Sequence, residues 1–322
     1  MKISIIIVSW NVEEELFDCL MSIKQNKPSY PYEVIIVDNA STDGTIDIIQ
    51  NNFAETKLII NNENRGFASA NNIGIEKSCG QYILFLNPDT IIQTNALDKL
   101  IAFLDENKDV GACGPKLLYG DGKLQPSTRK FPDFYSALYQ NTILKNTGLF
   151  RKHYRRYRMR NFNFDKQKDV DILMGAAILT RRSIIEKIGP MDESFFMYYE
   201  EADLCYRIVQ AGWRIVFVPD ATIIHLGGKS SDHIPLKTRM MRLKSMLIFF
   251  RKHYGRVRTG FFNCIFKPAV LLRYVFNILS GIFVYLFAII TLNNKLSQKT
   301  LSKIKYSFIF ITKYSWQLFF KI

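Results

Sequence analysis

The chain has 322 residues, of which 48% are hydrophobic and 22% charged, so a disordered or low-complexity protein is excluded. A net charge of +14 would normally indicate nucleic acid as a partner. The excess is confined to one end, because residues 233–322 contain 16 lysines and arginines and no acid, whereas residues 1–232 carry a net charge of −2. We therefore expect no nucleic acid among the partners of the main domain.

The cysteines and the N-terminus give no sign of an exported protein. The five cysteines are widely spaced without a C-x-x-C pair, which argues against structural zinc and against a disulfide framework. The N-terminal apolar run is short and meets acids at once, unlike a signal peptide. We expect the body of the protein to be cytoplasmic.

The first 118 residues alternate between strand-like and helix-like segments. Strands are predicted at 3–8, 34–37, 57–60, 82–86 and 110–118, and helices at 14–24, 67–77 and 96–104. Residues 41–44 are predicted to form a turn and N-cap that opens a further helix towards Gln50. This alternation predicts an α/β layer architecture with a largely parallel sheet, in which ligands bind beyond the C-terminal strand ends. Polar residues follow four of these strands, in the groups Ser9-Trp10-Asn11, Asp38-Asn39, 62–66 and Asn87-Pro88-Asp89.

These strand ends suit a nucleotide and a metal ion, although the usual glycine-rich phosphate loops are absent from the sequence. Asp38 could accept hydrogen bonds from a base or a ribose, and Arg65 could donate to a base carbonyl or a phosphate. Asp89 could be a single ligand of Mg²⁺ or Mn²⁺, because diphosphate oxygens and water would fill the other positions. Each residue alone is explained as well by a turn, but four groups at one edge favour a shared site.

Residues 120–170 break the alternation and include the basic cluster 151–160, RKHYRRYRMR. This cluster is either a solvated face or a contact for a phosphate-bearing acceptor. Helical patterning resumes at 182–188 and 202–211, and a strand-like segment follows at 214–218.

An acidic group and a histidine mark the second half. Glu200, Glu201 and Asp203 lie within four residues, and their mutual repulsion raises some of their pKa values and suits a general base. A helix N-terminus, which also favours acids, is the alternative explanation. His225 ends an apolar strand beside two glycines, which favours a metal or phosphate contact over a place in the core.

Seven ordered motifs resemble those of family-2 glycosyltransferases, and in particular the bacterial rhamnosyltransferase-like branch. They are SIIIVSWN, VDNASTDGT, NENRGFASANNIG, FLNPD, DILMGAAILTRR, FFMYYEEADLCYRIVQAGW and HLGGKSS, and the resemblance covers about residues 3–255. It implies the GT-A fold, inversion at the anomeric carbon, a nucleotide-diphosphate sugar as donor and a divalent cation, Mg²⁺ or Mn²⁺. It favours dTDP-rhamnose as the donor, with UDP- or GDP-hexoses as the alternative.

The resemblance also implies roles for individual residues. Those on the donor side are Ser9, Asp38, Asn39, Arg65, Gly66, Asn71 and Asn87. Asp89, the one acid kept from the family's D-x-D element, and His225 are the implied metal residues. Gly175 and Ala176 are implied to let the acceptor sugar approach the backbone. The catalytic group is Glu200, Glu201 and Asp203. Relatives usually have Asp where this chain has Glu201, so Glu201, or failing that Glu200, is the expected base.

The C-terminal segment is apolar as well as basic. Residues 274–292 are 19 residues without a charge, flanked by lysines and arginines, and residues 306–322 are a second apolar stretch. The two stretches could form a shallow hairpin in the membrane or lie in its interface, and a buried helical pair is the remaining alternative. Attraction of an acid-free segment to anionic lipid favours attachment to the cytoplasmic face of the membrane.

Two domains are therefore predicted. Residues 1–235 would form a GT-A domain, with a nucleotide-sugar-binding half at 1–118 and an acceptor half at 119–235, and residues 236–322 a membrane-association region. The expected function is transfer of a sugar to a polyisoprenyl-linked or other lipid-linked glycan in bacterial cell-surface polysaccharide synthesis. A nucleotidyltransferase is disfavoured because the position after the first strand reads SWNVEEE. A non-catalytic membrane scaffold that binds nucleotide sugars is the alternative from another class.

Overall fold

The computed structural model describes residues 1–227 and 235–320, which belong to two compact units. The first unit comprises residues 1–131 and 159–233, and the second comprises residues 132–158 and 234–322. The predicted acceptor half contained residues 132–158, whereas in the structure this segment packs with the C-terminal helices.

The first unit contains all of the described strands. They are β1 (Ile3–Ser9), β2 (Tyr32–Asp38), β3 (Lys57–Ile60), β4 (Tyr82–Leu86), β5 (Thr90–Ile92), β6 (Val110–Leu118), β7 (Leu124–Gln125), β8 (Thr128–Arg129), β9 (Lys168–Asp169), β10 (Ile172–Leu173), β11 (Ala177–Arg181) and β12 (Arg214–His225). The main sheet has the order β3-β2-β1-β4-β11-β6-β12-β5, with β7 paired to β6 and β9 to β12, while β8 and β10 form a separate ribbon.

Helices occur in both units. Those of the first are α1 (Glu13–Gln25), α2 (Thr45–Asn52), α3 (Phe67–Lys77), α4 (Ala96–Glu106), α8 (Arg182–Ile188) and α9 (Glu200–Gln210). Those of the second are α5 (Phe134–Asn141), α6 (Leu144–Thr147), α7 (Arg151–Tyr157), α10 (Pro235–Tyr254), α11 (Arg256–Ile290), α12 (Asn294–Ile309) and α13 (Ser315–Phe320), with a π-helical turn at Phe310–Tyr314.

The sheet places the ends of β1, β2 and β4 at one edge. These strands run parallel, with Ser9 opposite Asp38 and Ile7 opposite Leu86. Strand β11 is antiparallel to both of its neighbours, β4 and β6. The α/β class and the parallel first half are as predicted, and the antiparallel strand comes from the second half of the sequence.

Both faces of the first strands are covered, which explains their continuous β-branched runs. Ile5 and Ile36 belong to a large apolar cluster on one face of the sheet, while Ile35 and Val37 belong to a smaller cluster on the other. Because neighbouring residues of a strand point to opposite faces, Ile35 and Ile36 necessarily divide in this way. The buried strands hold their polar C-terminal residues at a fixed edge.

Aromatic contacts hold the second unit together. The ring of Phe134 on α5 stacks on Phe262 of α11 at 4.6 Å and meets Phe250 of α10 edge-on at 4.9 Å. The Tyr254 hydroxyl donates to the Pro132 carbonyl at 2.6 Å. These contacts between distant segments explain why residues 132–158 pack with the C-terminal helices.

Helix α11 is long and apolar on its surface. It has 35 residues, and among the residues that the structure describes it is the one helix whose length and composition would allow it to cross a membrane. Only 17% of its most apolar 18-residue stretch is buried, and the side chains of Phe283 and Ile290 are 74% and 79% exposed. The charge-free stretch predicted from the sequence is the C-terminal half of this helix.

Candidate active site

The carboxylate of Asp38 is fixed at the end of β2 by three hydrogen bonds. Asp38 is fully buried, and its Oδ1 accepts from the hydroxyls of Ser9 at 3.0 Å and Ser41 at 2.6 Å. Its Oδ2 accepts from the Ser41 backbone N–H at 2.8 Å. Since a carboxylate accepts about four hydrogen bonds, one acceptor position remains for a ligand.

Gly66 allows the loop before α3 to approach the segment before α9 closely. Gly66 has φ +85°, and a Cβ there would lie 2.5 Å from the carbonyl oxygen of Phe196, so a side chain does not fit. Phe67 N–H donates to that same oxygen at 2.8 Å. Asn39 Nδ2 donates to the Gly66 carbonyl at 3.2 Å, which connects the loop to the end of β2.

Two other residues predicted on the donor side lie in different surroundings. The Arg65 side chain is exposed, whereas Asn71 is 1% exposed and donates within α3 to the Phe67 carbonyl at 2.9 Å. The neighbouring Asn72, which the sequence patterns did not single out, bonds both the carbonyl and the N–H of Met191, at 2.8 and 2.9 Å. Asn71 therefore bonds within its own helix, whereas Asn72 connects α3 to residue 191.

Asp89 and His225 meet between two strands. His225 at the end of β12 pairs with Thr90 at the start of β5, so Asp89 lies beside it. The distance from Asp89 Oδ1 to His225 Nε2 is 3.3 Å, and Asn87 Nδ2 lies 3.4 Å from the same nitrogen. Asp89 and His225 are 7% and 8% exposed, so the pair is nearly shielded from water.

Gln125, which the sequence patterns did not single out, orients the His225 ring. Its Oε1 lies 2.8 Å from His225 Nδ1, and its Nε2 donates to the His225 carbonyl at 3.4 Å. With Oε1 as the acceptor, Nδ1 donates to Gln125, and Nε2 is the ring nitrogen that faces Asp89.

A carboxylate oxygen and an imidazole nitrogen that face each other are a pair of groups that fits a divalent cation. In residues 1–227 and 235–320, no three histidines, cysteines or acids stand together as a complete metal site. Substrate oxygens and water would therefore have to complete the coordination.

Two buried glutamates begin α9. Glu200 is 5% exposed, and the Oε2 atoms of Glu200 and Glu201 are buried with no hydrogen-bond partner among the residues described. Burial and then the neighbouring Glu201 charge raise the pKa of Glu200 well above its usual range. Burial also raises the pKa of Glu201, against the effect of backbone hydrogen bonds and of the Arg129 charge.

The backbone before these glutamates is strained. Tyr198 and Tyr199 have φ values of +69° and +70°, which cost about 1–3 kcal/mol each for residues other than glycine. Such strain clusters at functional sites, and here it directs the chain into the first turn of α9.

Asp203 differs from the two glutamates with which the sequence grouped it. Its side chain is fully buried, and its Oδ2 accepts from Arg207 Nε at 2.8 Å. Arg207 also donates to the carbonyls of Ile188, Gly189 and Pro190 at 2.8–2.9 Å. This ion pair holds α9 against the loop after α8, which is a positioning role.

The predicted acceptor-side residues behave differently from each other. A Cβ at Gly175 would lie 3.6 Å from Glu201 Cβ, which is an ordinary van der Waals distance, so Gly175 directly adjoins the glutamate. The Ala176 side chain lies in the core at 1% exposure, and its carbonyl accepts from the Asn87 N–H at 2.9 Å. The backbone of Ala176 is therefore bonded to the residues between β4 and β5 that include Asp89.

The ribbon of β8 and β10 and the residues beside it include polar side chains that the sequence patterns did not single out. The hydroxyls of Ser127 and Thr128 are buried without a hydrogen-bond partner among the described residues, and the Met174 N–H donates to the Ser127 carbonyl at 2.8 Å. Arg129, at the end of β8, lies within electrostatic range of Glu201. The polar run QPSTR after a glycine turn was the available signal.

Comparisons with known proteins identify the family. The sequence model of glycosyl transferase family 2 matches residues 4–189. The chain is 29% identical over 243 residues to the N-acetylglucosaminyl-diphospho-decaprenol L-rhamnosyltransferase of Mycobacterium tuberculosis (strain CDC 1551 / Oshkosh), covering 70% of this chain and 76% of that protein. It is 24% identical over 261 residues to the dTDP-rhamnosyl transferase RfbF of Shigella flexneri, covering 77% of this chain and 80% of that protein.

A solved structure supports the fold. The mannosyltransferase PcManGT from Pyrobaculum calidifontis, in complex with GDP-Man and Mn²⁺, matches 96% of this chain and 86% of that chain with a TM-score of 0.54 at 16% identity. The fold is therefore GT-A, as the resemblance implied. Because the family match covers more than half of the chain, this protein belongs to glycosyltransferase family 2 and is rhamnosyltransferase-like.

Proposed function

We propose that this protein is a membrane-attached, metal-dependent, inverting glycosyltransferase that moves rhamnose from dTDP-rhamnose to a hydroxyl of a lipid-linked glycan. The observation that carries the proposal is the presence, in one unit, of two buried glutamates with unbonded oxygens and of the Asp89–His225 pair. The names of both relatives specify rhamnosyl transfer, and one of these names also specifies a diphospho-decaprenol acceptor.

The donor would bind over the ends of β1 and β2. Asp38 is already oriented by Ser9 and Ser41, and its remaining acceptor position would take a hydrogen bond from the base or the ribose. The guanidinium of Arg65 is exposed, so it could donate hydrogen bonds to a phosphate or to a base carbonyl.

Asp89 and His225 would hold the divalent cation together with the donor diphosphate. When bound, Mg²⁺ or Mn²⁺ would neutralise the charge that develops on the leaving diphosphate. Gln125 would orient the His225 ring so that Nε2 faces the cation. The side chain of Asn87 is an uncharged amide, so it would contribute a hydrogen bond and no negative charge.

Glu201 would act as the general base. Its carboxylate takes the proton of the acceptor hydroxyl while that oxygen attacks the anomeric carbon, and the bond to the diphosphate breaks with its electron pair leaving on the nucleotide. Attack opposite the leaving group inverts the anomeric centre. Two neighbouring buried carboxylates resist carrying two charges, so we expect Glu200 to stay protonated while Glu201 reacts.

The second unit would attach the enzyme to the cytoplasmic face of the membrane. Its segments carry six lysines and arginines at 132–158 and sixteen at 234–322, against one acid, Asp133. The apolar surface of α11 lies in the same unit as these basic residues. Together they suit an anionic membrane surface, where a lipid-linked acceptor would be found.

A transfer assay on the full-length protein in membranes tests the proposal. Reactions contain an N-acetylglucosaminyl-diphospho-polyisoprenol acceptor, a panel of dTDP-, UDP- and GDP-sugars, and Mn²⁺, Mg²⁺ or a chelator. We expect metal-dependent product with dTDP-rhamnose and an inverted anomeric configuration by NMR. Product with a UDP- or GDP-hexose alone would replace the donor, and donor binding without transfer or hydrolysis would leave the scaffold alternative.

A further inference from the structure

An apolar stripe follows one face of α11 from end to end. Its members are separated by four, seven or eleven residues, which are close to whole numbers of helical turns. They are Val257, Phe261, Ile265, Leu272, Phe283 and Ile290, which are between 51% and 79% exposed and carry no charge. These residues are called the apolar stripe below, and the 35-residue helix that carries them is roughly 50 Å long.

The opposite face of α11 is covered by other helices of the second unit. The buried ring of Phe262 stacks on Phe134 of α5, and the buried ring of Tyr274 stacks on Phe310 with 3.8 Å between the ring centroids. Nearer the C-terminal end, Gly281 is buried against α12. One face of α11 therefore packs on protein along the helix while the other face is exposed.

The packing of α12 argues against a membrane span. A Cβ at Gly281 would lie 2.7 Å from Ile304 Cγ1, so α12 contacts the middle of the charge-free stretch 274–292. Lys303 and Lys305 are the chain neighbours of Ile304, and both side chains are exposed. If residues 274–292 crossed a membrane, these two ammonium groups would lie near the centre of the bilayer, where a charge is strongly unfavourable.

An orientation of α11 parallel to the membrane surface avoids this cost. The apolar stripe could then contact acyl chains along a length of roughly 50 Å, whereas a perpendicular helix matches a hydrocarbon core of only about 30 Å. The lysines of α12 could reach the headgroups and the water beyond them. Trp316 on α13 is 61% exposed, and tryptophan is a residue type enriched at the boundary between membrane and water.

Charge favours a lipid surface over a second copy of the chain as the partner of the apolar stripe. Residues 233–322 contain 16 lysines and arginines and no acid, so two copies packed through α11 would bring like charges together. An anionic leaflet offers the opposite charge above an apolar interior.

We propose that α11 lies in the plane of the membrane, with the apolar stripe inserted among the acyl chains of one leaflet, and does not cross the bilayer. The inference specifies how the membrane attachment proposed above is achieved and rests on that attachment. It does not require sugar transfer.

The depth of three side chains in a vesicle membrane tests the proposal. The starting protein is the full-length chain with Cys79→Ser and Cys264→Ser, which removes the two exposed thiols and leaves the buried ones. A fluorescent maleimide is attached to one new cysteine at an exposed position, made by Phe261→Cys, Phe283→Cys or Lys303→Cys. Vesicles of phosphatidylcholine and phosphatidylglycerol carry bromine atoms at known positions along the acyl chains, and quenching by bromine reports the depth.

We expect the labels at 261 and 283 to lie at the same depth, about 5–10 Å below the membrane surface, and the label at 303 to escape quenching. A membrane span would instead place the labels at 283 and 303 together near the bilayer centre and the label at 261 in water. That pattern overturns the proposal, and so does the absence of quenching at all three positions.

A binding measurement compares two variants that each lose two exposed apolar side chains. One variant carries Phe261→Gln and Phe283→Gln in the apolar stripe, and the control carries Ile60→Gln and Tyr119→Gln in the first unit. We expect the stripe variant to bind the vesicles at least about tenfold more weakly than the wild type, and the control to stay within about twofold, because binding scales with the apolar area that enters the membrane.

Equal binding of the two variants overturns the proposal. All four positions are exposed, so the substitutions leave the packing of both units intact. Neither measurement contains a donor sugar, so a failure of the glycosyltransferase proposal does not affect the results.

Discussion

Asp38 and the Glu200–Glu201 pair are buried carboxylates of the same unit, yet their surroundings are opposite. Three donors from Ser9 and Ser41 hold the Asp38 oxygens, whereas an oxygen of each glutamate has no partner among the described residues. Burial of an oxygen without a hydrogen-bond partner raises the pKa of both glutamates, Glu200 more than Glu201. Under the proposed function, hydrogen-bond partners, and not burial alone, would distinguish the carboxylate that binds the donor from the carboxylate that acts as the base.

Glu201→Gln should have the largest effect. Loss of the general base should lower kcat by about 10²–10⁴-fold, because the amide cannot take the acceptor proton. Donor affinity, measured by calorimetry with Mn²⁺ present, should stay within a factor of about two, since the glutamine keeps the side-chain shape. The exposed Glu186→Gln is the matched control. Turnover near that of the wild type would move the base to Glu200.

Asp38→Asn should destabilise the first unit. The variant removes the charge that three donors stabilise, so the free energy of unfolding at neutral pH should fall by about 1.5–3 kcal/mol. Urea unfolding measures the loss, and Asp220→Asn at an exposed position is the control. An unchanged unfolding free energy would mean that the three hydrogen bonds add little to stability.

Gln125→Met should weaken metal binding without abolishing it. Methionine fills the volume of the glutamine side chain but cannot replace the amide oxygen that accepts a hydrogen bond from His225 Nδ1. The metal concentration for half-maximal activity should therefore rise about 10–100-fold. Gln125→Glu keeps an acceptor and should preserve metal affinity. If both variants need the same metal concentration as the wild type, Gln125 does not position the histidine.

Glu200→Gln should have the smallest effect and the opposite sign to Asp38→Asn. The pKa of Glu200 is raised above its unfolded value of about 4.3, so the folded state loses stability as the pH rises through the folded pKa. Glutamine has no proton to release on unfolding, so the variant avoids this loss and should have a higher Tm at neutral pH, by about 2–4 °C for each kcal/mol relieved. The gain over wild type should vanish as the pH falls towards about 4.3, where the unfolded group is also protonated. A lower Tm at neutral pH would contradict the conclusion that the buried Glu200 carboxylate lacks a hydrogen-bond partner that stabilises the folded state.

Local patterns in the sequence were enough for the first half of the fold. The runs at 3–8 and 82–86 form buried strands as predicted, because β-branched residues fit a sheet covered on both faces. The polar residues at their ends meet at one edge because parallel register places them there. The general positions of Asp38 and Asp89 therefore follow from patterns within a few residues.

The second half depends on contacts that no local pattern reports. Gln125 meets His225 across 100 residues, and the run QPSTR has neither helical nor strand periodicity. Phe134 packs against Phe262, and residues 132–158 belong to the same unit as the C-terminal helices. The Asp203–Arg207 pair, by contrast, could have been recognised from its four-residue spacing on a helix.

The long-range contacts of the site also bear on how the chain folds. Asn72 bonds residue 191 across 119 positions, and Gln125 bonds residue 225 across 100, while β1, β2 and β4 pair within the first 86 residues. Because closing long loops slows folding, we expect β1, β2 and β4 to pair early and the contacts of Gln125 and Asn72 to form later. A polypeptide stopped at residue 189, where the family match ends, would contain most of the sheet but neither Glu200 and Glu201 nor His225. Under the proposed function, translation would therefore have to pass β12 before the catalytic site could form.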